Sequence, residues 1–243
     1  MMDLTGKTAI VTGASSGFGR ATAIAFAAAG CNVVLTARRQ ERLEEISQQI
    51  IANGGRAVYV DGDARDPGTA DCAVEAAVTE FGSVDILINN AGIGRVLSLT
   101  DTTLEDYRDI MDTNVLSAFL FTRRAIPAML KQGKGHVVNV SSVTGVYGHA
   151  DETVYTASKF AIRGFTQAID KEYREKGIKA SVYCPGAAFT EFEIGHGRTV
   201  EQMQKRHRLT AEDGAEALLF ICTRPDHVRV TEMRMTSMEG VLF

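Results

Sequence analysis

Cysteine is sparse in this chain of 243 residues: Cys31, Cys72, Cys184 and Cys222 form no Cys-x-x-Cys pair. Neither a zinc site nor a disulfide framework is expected, and free thiols fit a reducing compartment. No apolar run approaches the roughly 18 residues that a membrane helix needs. There is no excess of positive charge either. The net charge of -4 at pH 7 gives no reason to expect a nucleic-acid partner. No internal repeat, low-complexity tract or linker interrupts the sequence. The first strand candidate begins almost at the N-terminus and leaves no room for a signal peptide, so a cytoplasmic protein is expected. What remains is ordinary globular composition, 45% hydrophobic and 23% charged. The length suits one large α/β domain, spanning 1–243, better than two small ones.

Strand and helix candidates alternate along the chain. Thr8-Ala9-Ile10-Val11-Thr12 is a short apolar strand, followed by the turn Gly13-Ala14-Ser15-Ser16-Gly17-Phe18-Gly19. Residues 20–29 then read as a helix closed by Gly30. Strand, glycine turn and helix in that order make a phosphate-binding unit. The glycines let the backbone approach a pyrophosphate, and the helix N-terminus attracts its charge. Gly13, Ser15, Ser16, Gly17, Phe18 and Gly19 are therefore candidate cofactor contacts. The bland alternative is a turn that merely connects two elements.

A second strand over 32–36 runs into Ala37-Arg38-Arg39. NAD-binding folds commonly place an acidic residue there, bonded to the ribose hydroxyls. Here no carboxylate is present to repel a 2′-phosphate, and Arg38 offers one a planar fork of donors, with Arg39 beside it. The pattern argues for NADP(H); the alternative is two solvated arginines opening a helix over 41–53. A third strand, 57–60, ends at Asp61-Gly62-Asp63-Ala64, where a carboxylate can accept from an adenine amino group. Asp63 is the better candidate, with Ala64 next to it, and a plain turn is the alternative. Residues 67–81 read as an amphipathic helix, and 84–88 as a strand leading into Asn89-Asn90-Ala91-Gly92. Small and amide residues there let the backbone lie against a ribose, while Asn side chains tie neighbouring strands. Helices follow over 104–112 and 115–132, with Asn114 between them among apolar neighbours. A buried Asn needs partners, so scaffolding is its simplest role. Residues 137–140, 154–176 and 179–183 read as strand, helix and strand. This alternation means a parallel sheet with crossover helices.

Chemistry concentrates between Ser141 and Lys159. Tyr155 and Lys159 are four apart, so on a helix they share one face, one turn apart. Free tyrosine, with a pKa of about 10, is a poor acid-base catalyst at neutral pH. A neighbouring ammonium favours the phenolate and brings the group closer to the useful range. Ser142, at the end of the strand candidate 137–140, faces that helix start; two hydroxyls there can hold a carbonyl oxygen between them. Alone, the Tyr-x-x-x-Lys spacing is no more than an ordinary helix pair.

Taken together, Thr12-Gly13-x-x-x-Gly17-x-Gly19, Asn89-Asn90-Ala91-Gly92, Ser142, Tyr155-x-x-x-Lys159 and Pro185-Gly186 stand in order over essentially the whole chain from Lys7 onward. In this the sequence resembles the short-chain dehydrogenase/reductase family. The resemblance implies a Rossmann fold, doubly wound, with a seven-stranded parallel sheet between two helix layers. It implies Tyr155 as general acid/base, Ser142 as polariser of the carbonyl, and Lys159 as ribose ligand and modifier of the tyrosine. Asn114 matches the position that holds a water in the proton relay. Asn90, Pro185 and Gly186 match positions lining the nicotinamide, and Thr190 one that contacts its carboxamide or the pyrophosphate. Ala188 stands where relatives often have Val or Ile; a backbone contact would survive that change. The C-terminus departs from the 3-oxoacyl carrier-protein reductases, which finish in a Gly-rich strand ending Asp-Gly-Gly. It looks like the NADP-dependent 3-hydroxy acid and serine dehydrogenases instead.

Three further expectations complete the reading. The resemblance implies a substrate lid over 187–208, a stretch that here carries His196, Arg198, Lys205, Arg206, His207 and Arg208; residues 200–208 also read as a plain helix. Those cations, or Arg95, suit an acidic substrate; a solvated helix is the alternative. The helices over 115–132 and 154–176 hold Leu116, Phe119, Leu120, Phe121, Phe160, Ile162, Phe165 and Ile169, more than one face buries. The surplus, and the family's habit, point to a homodimer or homotetramer. The function expected is oxidoreduction of a carbonyl or secondary alcohol; the alternatives are a 3-oxoacyl-[acyl-carrier-protein] reductase and a catalytically silent dinucleotide-binding regulator. No metal is expected.

Overall fold

The computed structural model describes residues 3–192, 194, 197, 199 and 208–239. Seven parallel strands form one sheet: β1 (Thr8–Thr12), β2 (Asn32–Ala37), β3 (Arg56–Asp61), β4 (Ile86–Asn89), β5 (Gly135–Val140), β6 (Ile178–Pro185) and β7 (Glu232–Met235). Their order is β3-β2-β1-β4-β5-β6-β7, so the chain reverses direction across the sheet between β1 and β4. In such sheets ligands bind outside the carboxyl ends of the strands at that switch.

The helices are α1 (Gly17–Ala28), α2 (Gln40–Ala52), α3 (Pro67–Phe81), α4 (Leu104–Met111), α5 (Ser117–Gln132), α6 (Thr153–Tyr173) and α7 (Ala211–Cys222). Successive strand residues point to opposite faces, and the central strands are apolar on both. Ala9, Val11, Val33 and Leu35 pack with Phe26 of α1, Ile46 of α2 and Leu218 of α7. Ile10, Val34 and Leu87 pack with Ala73 of α3, Phe121 of α5 and Ile169 of α6 on the other side. Each fully buried side chain of this size contributes about 1.5–3 kcal/mol.

Four sequence expectations change. Helix α1 starts at Gly17 rather than residue 20, because the second half of the glycine turn already has helical hydrogen bonding, with Arg20 N–H donating to Ser16 O. The helix expected over 115–132 is shortened by a π turn, Asp112–Leu116, in which Asn114 sits. Helix α7 and strand β7 follow the variable segment, where the sequence reading assigns no ranges, and β7 supplies the seventh strand that the resemblance implies. Of the apolar surplus, Phe121, Ile162 and Ile169 are consumed by the chain's own core, whereas Leu116, Phe119 and Phe160 are exposed. The helix expected over 200–208 and most of the basic residues there lie outside the described residues.

Candidate active site

The glycine turn explains the first wall of the site. Gly13 has φ +65, and a Cβ there would lie 2.9 Å from Asn90 Nδ2. At Gly19 a Cβ would collide with the Gly13 carbonyl oxygen. The loop after β4 is bound just as closely. Asn90 N–H donates to Thr12 Oγ1 at 2.9 Å, and its Nδ2 donates to Thr12 O at 2.9 Å. Ser16, the residue before α1, is extended and makes no side-chain cap, and the first turn carries no acid. The helix N-terminus is thus left to another anion.

These elements frame a cavity of about 590 Å³ along the C-terminal edge of the sheet. Gly13, Ser15, Ser16, Gly17, Phe18, Arg38, Arg39, Asp63, Ala64, Asn90, Ala91 and Gly92 line one end and the middle. Ser142, Tyr155, Lys159, Pro185, Gly186, Ala188 and Thr190 line the rest. Of the residues singled out from the sequence, Gly19 and Asn114 stand behind the wall.

The catalytic end is built from β5 and α6. Ser142 follows β5 and accepts a 3.2 Å bond from Thr144 N–H, which caps a short 3-10 turn. Tyr155 lies in the first turn of α6, and Lys159 one turn later places Nζ 5.5 Å from the tyrosine ring. Lys159 Nζ donates to Val140 O at 3.0 Å, and Ser141 Oγ donates to Lys159 O at 2.9 Å, so helix and strand are cross-bonded. Asn114 Nδ2 donates to Ile93 O and to Ser158 Oγ, both at 2.9 Å, while its Oδ1 accepts from Ile93 N–H at 2.8 Å. Ser158 Oγ in turn donates to Tyr155 O at 2.7 Å. The Asn114 amide is therefore a brace between the π turn, the β4 loop and α6. The neighbouring strands are tied in the same way: Asn89 Nδ2 donates to Asn139 Oδ1 at 2.8 Å and Asn139 Nδ2 donates to Thr166 Oγ1 at 2.8 Å.

The opposite end is charged and open. Arg39, not Arg38, makes the hydrogen bonds: its Nε and one terminal nitrogen donate to Ser15 Oγ at 3.1 and 2.9 Å, and that nitrogen also reaches Ser16 Oγ at 2.8 Å. Arg38 lines the cavity beside Asp63 and adds to the pull on its proton. Arg65 grips both oxygens of Asp63 at 2.7–3.1 Å, and these bonds hold the carboxyl below its ordinary pKa. Asp63 is an ionised acceptor, but an adenine amino group has to share it with Arg65. Arg95, a sequence candidate for binding an acidic substrate, pairs instead with Asp106 at 3.1 Å and Asp109 at 2.8 Å.

Several lining residues carried no sequence signal. Phe192 lies 5.7 Å from the Tyr155 ring, and Glu152 is 3% exposed beside the same tyrosine in sequence, 3.9 Å from His149. Both Glu152 and His149 line the cavity. Glu191 pairs with Arg39 and Arg42. Only tertiary approach brings these groups to the site. No group of His, Cys, Asp and Glu suited to a metal occurs among the described residues.

The profile of the short chain dehydrogenase family matches residues 7–200. An uncharacterized oxidoreductase of Staphylococcus epidermidis is 34% identical over 227 residues, 93% of this chain and 95% of its own length. A 3-oxoacyl-[acyl-carrier-protein] reductase of Synechocystis is 36% identical, covering 95% of each chain. Among solved structures, the closed form of a serine dehydrogenase complexed with NADP+ superposes with a TM-score of 0.89, at 29% identity over 96% of this chain and 98% of that one. An alcohol dehydrogenase from the archaeon Thermococcus sibiricus, complexed with 5-hydroxy-NADP, gives 0.87 at 25% identity over 97% and 98%.

Proposed function

The chain belongs to the short-chain dehydrogenase family, and on that premise we propose that it is an NADP(H)-dependent oxidoreductase acting on a carbonyl or secondary alcohol. One observation carries the reading: Ser142, Tyr155 and Lys159 share a single cavity that continues past the glycine turn to Arg38 and Arg39. The cavity fits the cofactor. Its glycine floor admits a pyrophosphate, and β2 ends in arginines with no carboxylate. When bound, NADP(H) supplies or accepts the hydride.

The residues of the chain do the rest. In the reducing direction Tyr155 Oη gives its proton to the carbonyl oxygen, which Ser142 Oγ also holds by a hydrogen bond. Negative charge grows on that oxygen in the transition state, so donors aimed at it lower the barrier. The phenolate left on Tyr155 is stabilised by the Lys159 ammonium, 5.5 Å from its ring. Lys159 Nζ is held by Val140 O on the wall of the cavity, where a ribose hydroxyl would meet its ammonium. Asn114 keeps α6 in register with the β4 loop, and its place in a π turn is consistent with a backbone group set aside for a relay water. Phe192 covers the tyrosine and keeps bulk water from it. The lid expected over 187–208 falls for the most part outside the described residues, and of it Thr190, Glu191 and Phe192 line the cavity.

Homodimer or homotetramer assembly is part of the same reading, supported by exposed Leu116, Phe119 and Phe160 on the π turn, α5 and α6; sedimentation tests it, and a species of only one chain mass excludes it. A cytoplasmic location accords with free thiols and with the absence, among the described residues, of any helix long and apolar enough to cross a membrane.

The test is a panel of ketones, keto acids and an acetoacetyl thioester, followed by nicotinamide absorbance with NADPH and with NADH. Turnover with NADPH that Tyr155→Phe abolishes supports the proposal. No turnover with any carbonyl, despite tight NADPH binding, returns the chain to a silent dinucleotide-binding regulator. The Synechocystis relative favours a second reading, a 3-oxoacyl-[acyl-carrier-protein] reductase; preferential turnover of the thioester would establish it.

A further inference from the structure

Glu191 lies on the segment that leaves β6, far in sequence from the arginines it meets. Its carboxylate accepts from Arg42 Nη1 at 2.7 and 2.9 Å and from Arg39 Nη1 at 3.0 Å. Those bonds hold the carboxyl below its ordinary pKa, so it is an anion at neutral pH. Arg39 does not depend on Glu191 for its position, because Ser15 and Ser16 already accept from its other nitrogens. The neighbours of Glu191 reach elsewhere in the site. Thr190 packs on Gly17 at the phosphate turn, and Phe192 lies against the Tyr155 ring.

A carboxylate on the guanidinium groups of Arg39, which leads from β2 into α2, and Arg42, in the first turn of α2, occupies donors that a 2′-phosphate would take. Two anions cannot share them without repulsion. We propose that Glu191 is a cofactor-specificity residue: it stands on Arg39 and Arg42 in the free protein, the 2′-phosphate of NADP(H) displaces it, and NAD(H) leaves it in place. The inference rests on the NADP(H) reading above. It has a mechanical consequence. Only the phosphorylated cofactor frees Glu191, and Phe192 is the next residue, so the segment over Tyr155 responds to which dinucleotide is bound.

The experiment titrates the wild-type protein, Glu191→Gln and Glu191→Ala with adenosine 2′,5′-bisphosphate and with 5′-AMP, and repeats the comparison with NADPH and NADH. The ion pairs are exposed, with Arg39 and Glu191 at 44% and 52% side-chain exposure. Their loss therefore gives a modest gain, about three- to tenfold tighter binding of the two ligands that carry a 2′-phosphate. Binding of 5′-AMP and NADH stays unchanged. An equal change for both kinds of ligand, no change, or weaker 2′-phosphate binding overturns the proposal. If wild-type protein binds the bisphosphate no better than 5′-AMP, the cofactor reading fails first and this inference with it. If it discriminates and the Glu191 variants do not differ from it, this inference alone fails.

Discussion

The two ends of the cavity are built on different principles. At the catalytic end Asn114, Lys159, Tyr155 and Ser142 are 3%, 4%, 7% and 8% exposed; hydrogen bonds through Ser158, Ser141 and Val140 tie Asn114, Tyr155 and Lys159 to the β4 loop and β5, and Ser142 accepts from Thr144 N–H. At the other end Arg39, Arg42 and Glu191 are each about half exposed and meet across loops. Buried polar groups are strong when satisfied and costly when orphaned, whereas exposed ion pairs are worth little each. The chemistry is therefore rigid and intolerant of substitution. On the reading proposed above, cofactor choice rests on weak, replaceable contacts.

Tyr155→Phe probes the rigid end most directly. It removes the proton but keeps the ring against Phe192, so the fold survives. Loss of acid-base catalysis is worth typically 10²–10⁴-fold, and turnover should fall by about that much. NADPH affinity, measured by titration, should hold because the arginines lie at the far end. If both fell together, the two ends would not be separable. If most of the activity survived, Tyr155 and Lys159 would be an ordinary helix pair.

Asn114→Ala attacks the brace. It leaves Ile93 N–H and Ile93 O without their partner and takes away one of the two bonds of Ser158 Oγ, which keeps Tyr155 O; at roughly 1 kcal/mol for each of the two half-buried backbone groups, the loss is about 2 kcal/mol. Denaturant unfolding reads that loss, and turnover should drop with NADPH affinity nearly constant. An unaltered midpoint would mean that the hydrogen bonds are not what holds α6.

Acid extends the contrast between interior and surface. His136 on β5 is buried beside Ser181, 2.7 Å from its hydroxyl, and burial, with Lys179 and Lys7 nearby, pushes its pKa down to about 3. The unfolded chain takes up this proton near pH 6.5, the folded one only near 3. Stability from a neutral His136 is thus complete above about 6.5 and is lost as pH falls toward 3. Between pH 7 and 5 the loss is about 2 kcal/mol at 1.36 kcal/mol per unit. The Glu191 and Asp63 ion pairs persist over that interval, since both carboxyls lie below their ordinary values. His136→Asn should flatten the pH dependence of the unfolding midpoint. An equally steep decline in that variant would place the sensitive group elsewhere.

The rigid end was also the legible one. Gly13, Ser142, Tyr155 and Lys159 are recognisable because their roles need particular residue types at short, regular spacings on one strand, turn or helix. Six strands and most helices followed from apolar periodicity for the same reason. Helix α7 announces itself through Thr210 and Asp213, which form a capping box before an apolar run, yet that signal is easily passed over after a variable segment. Asn114 shows the limit differently: its burial was foreseeable, but the π turn that turns it toward Ile93 and Ser158 was not. At the open end, Glu191 meets Arg39 152 residues away, and Phe192 meets Tyr155 across the cavity. No local pattern encodes such approaches, because they depend on how the segment after β6 folds back over the sheet.

The smallest effect expected is at the arginines, and it decides whether the open end selects the cofactor at all. The sequence singles out Arg38, whereas hydrogen bonding in the structure favours Arg39. Single variants separate them. A charge-assisted bond is worth about 1.5–3 kcal/mol when sheltered and less when exposed. Arg39→Ala should therefore weaken NADPH binding by about tenfold and leave NADH binding unchanged. Arg38→Ala should weaken it less, because Asp63 beside it already draws on its charge. Adding Ala37→Asp to Arg39→Ala places a carboxylate where ribose hydroxyls would meet it, and preference should pass to NADH. Stability should move little in the two single variants, since Arg38 and Arg39 are exposed; the added Ala37→Asp, at a half-buried position packed on the core, should cost more. A larger loss from Arg38→Ala would restore the sequence expectation and make Arg39 a strut for the serines of the glycine turn. Equal losses for NADPH and NADH would mean that the arginines act on the adenosine as a whole, and that selection lies elsewhere in the cavity.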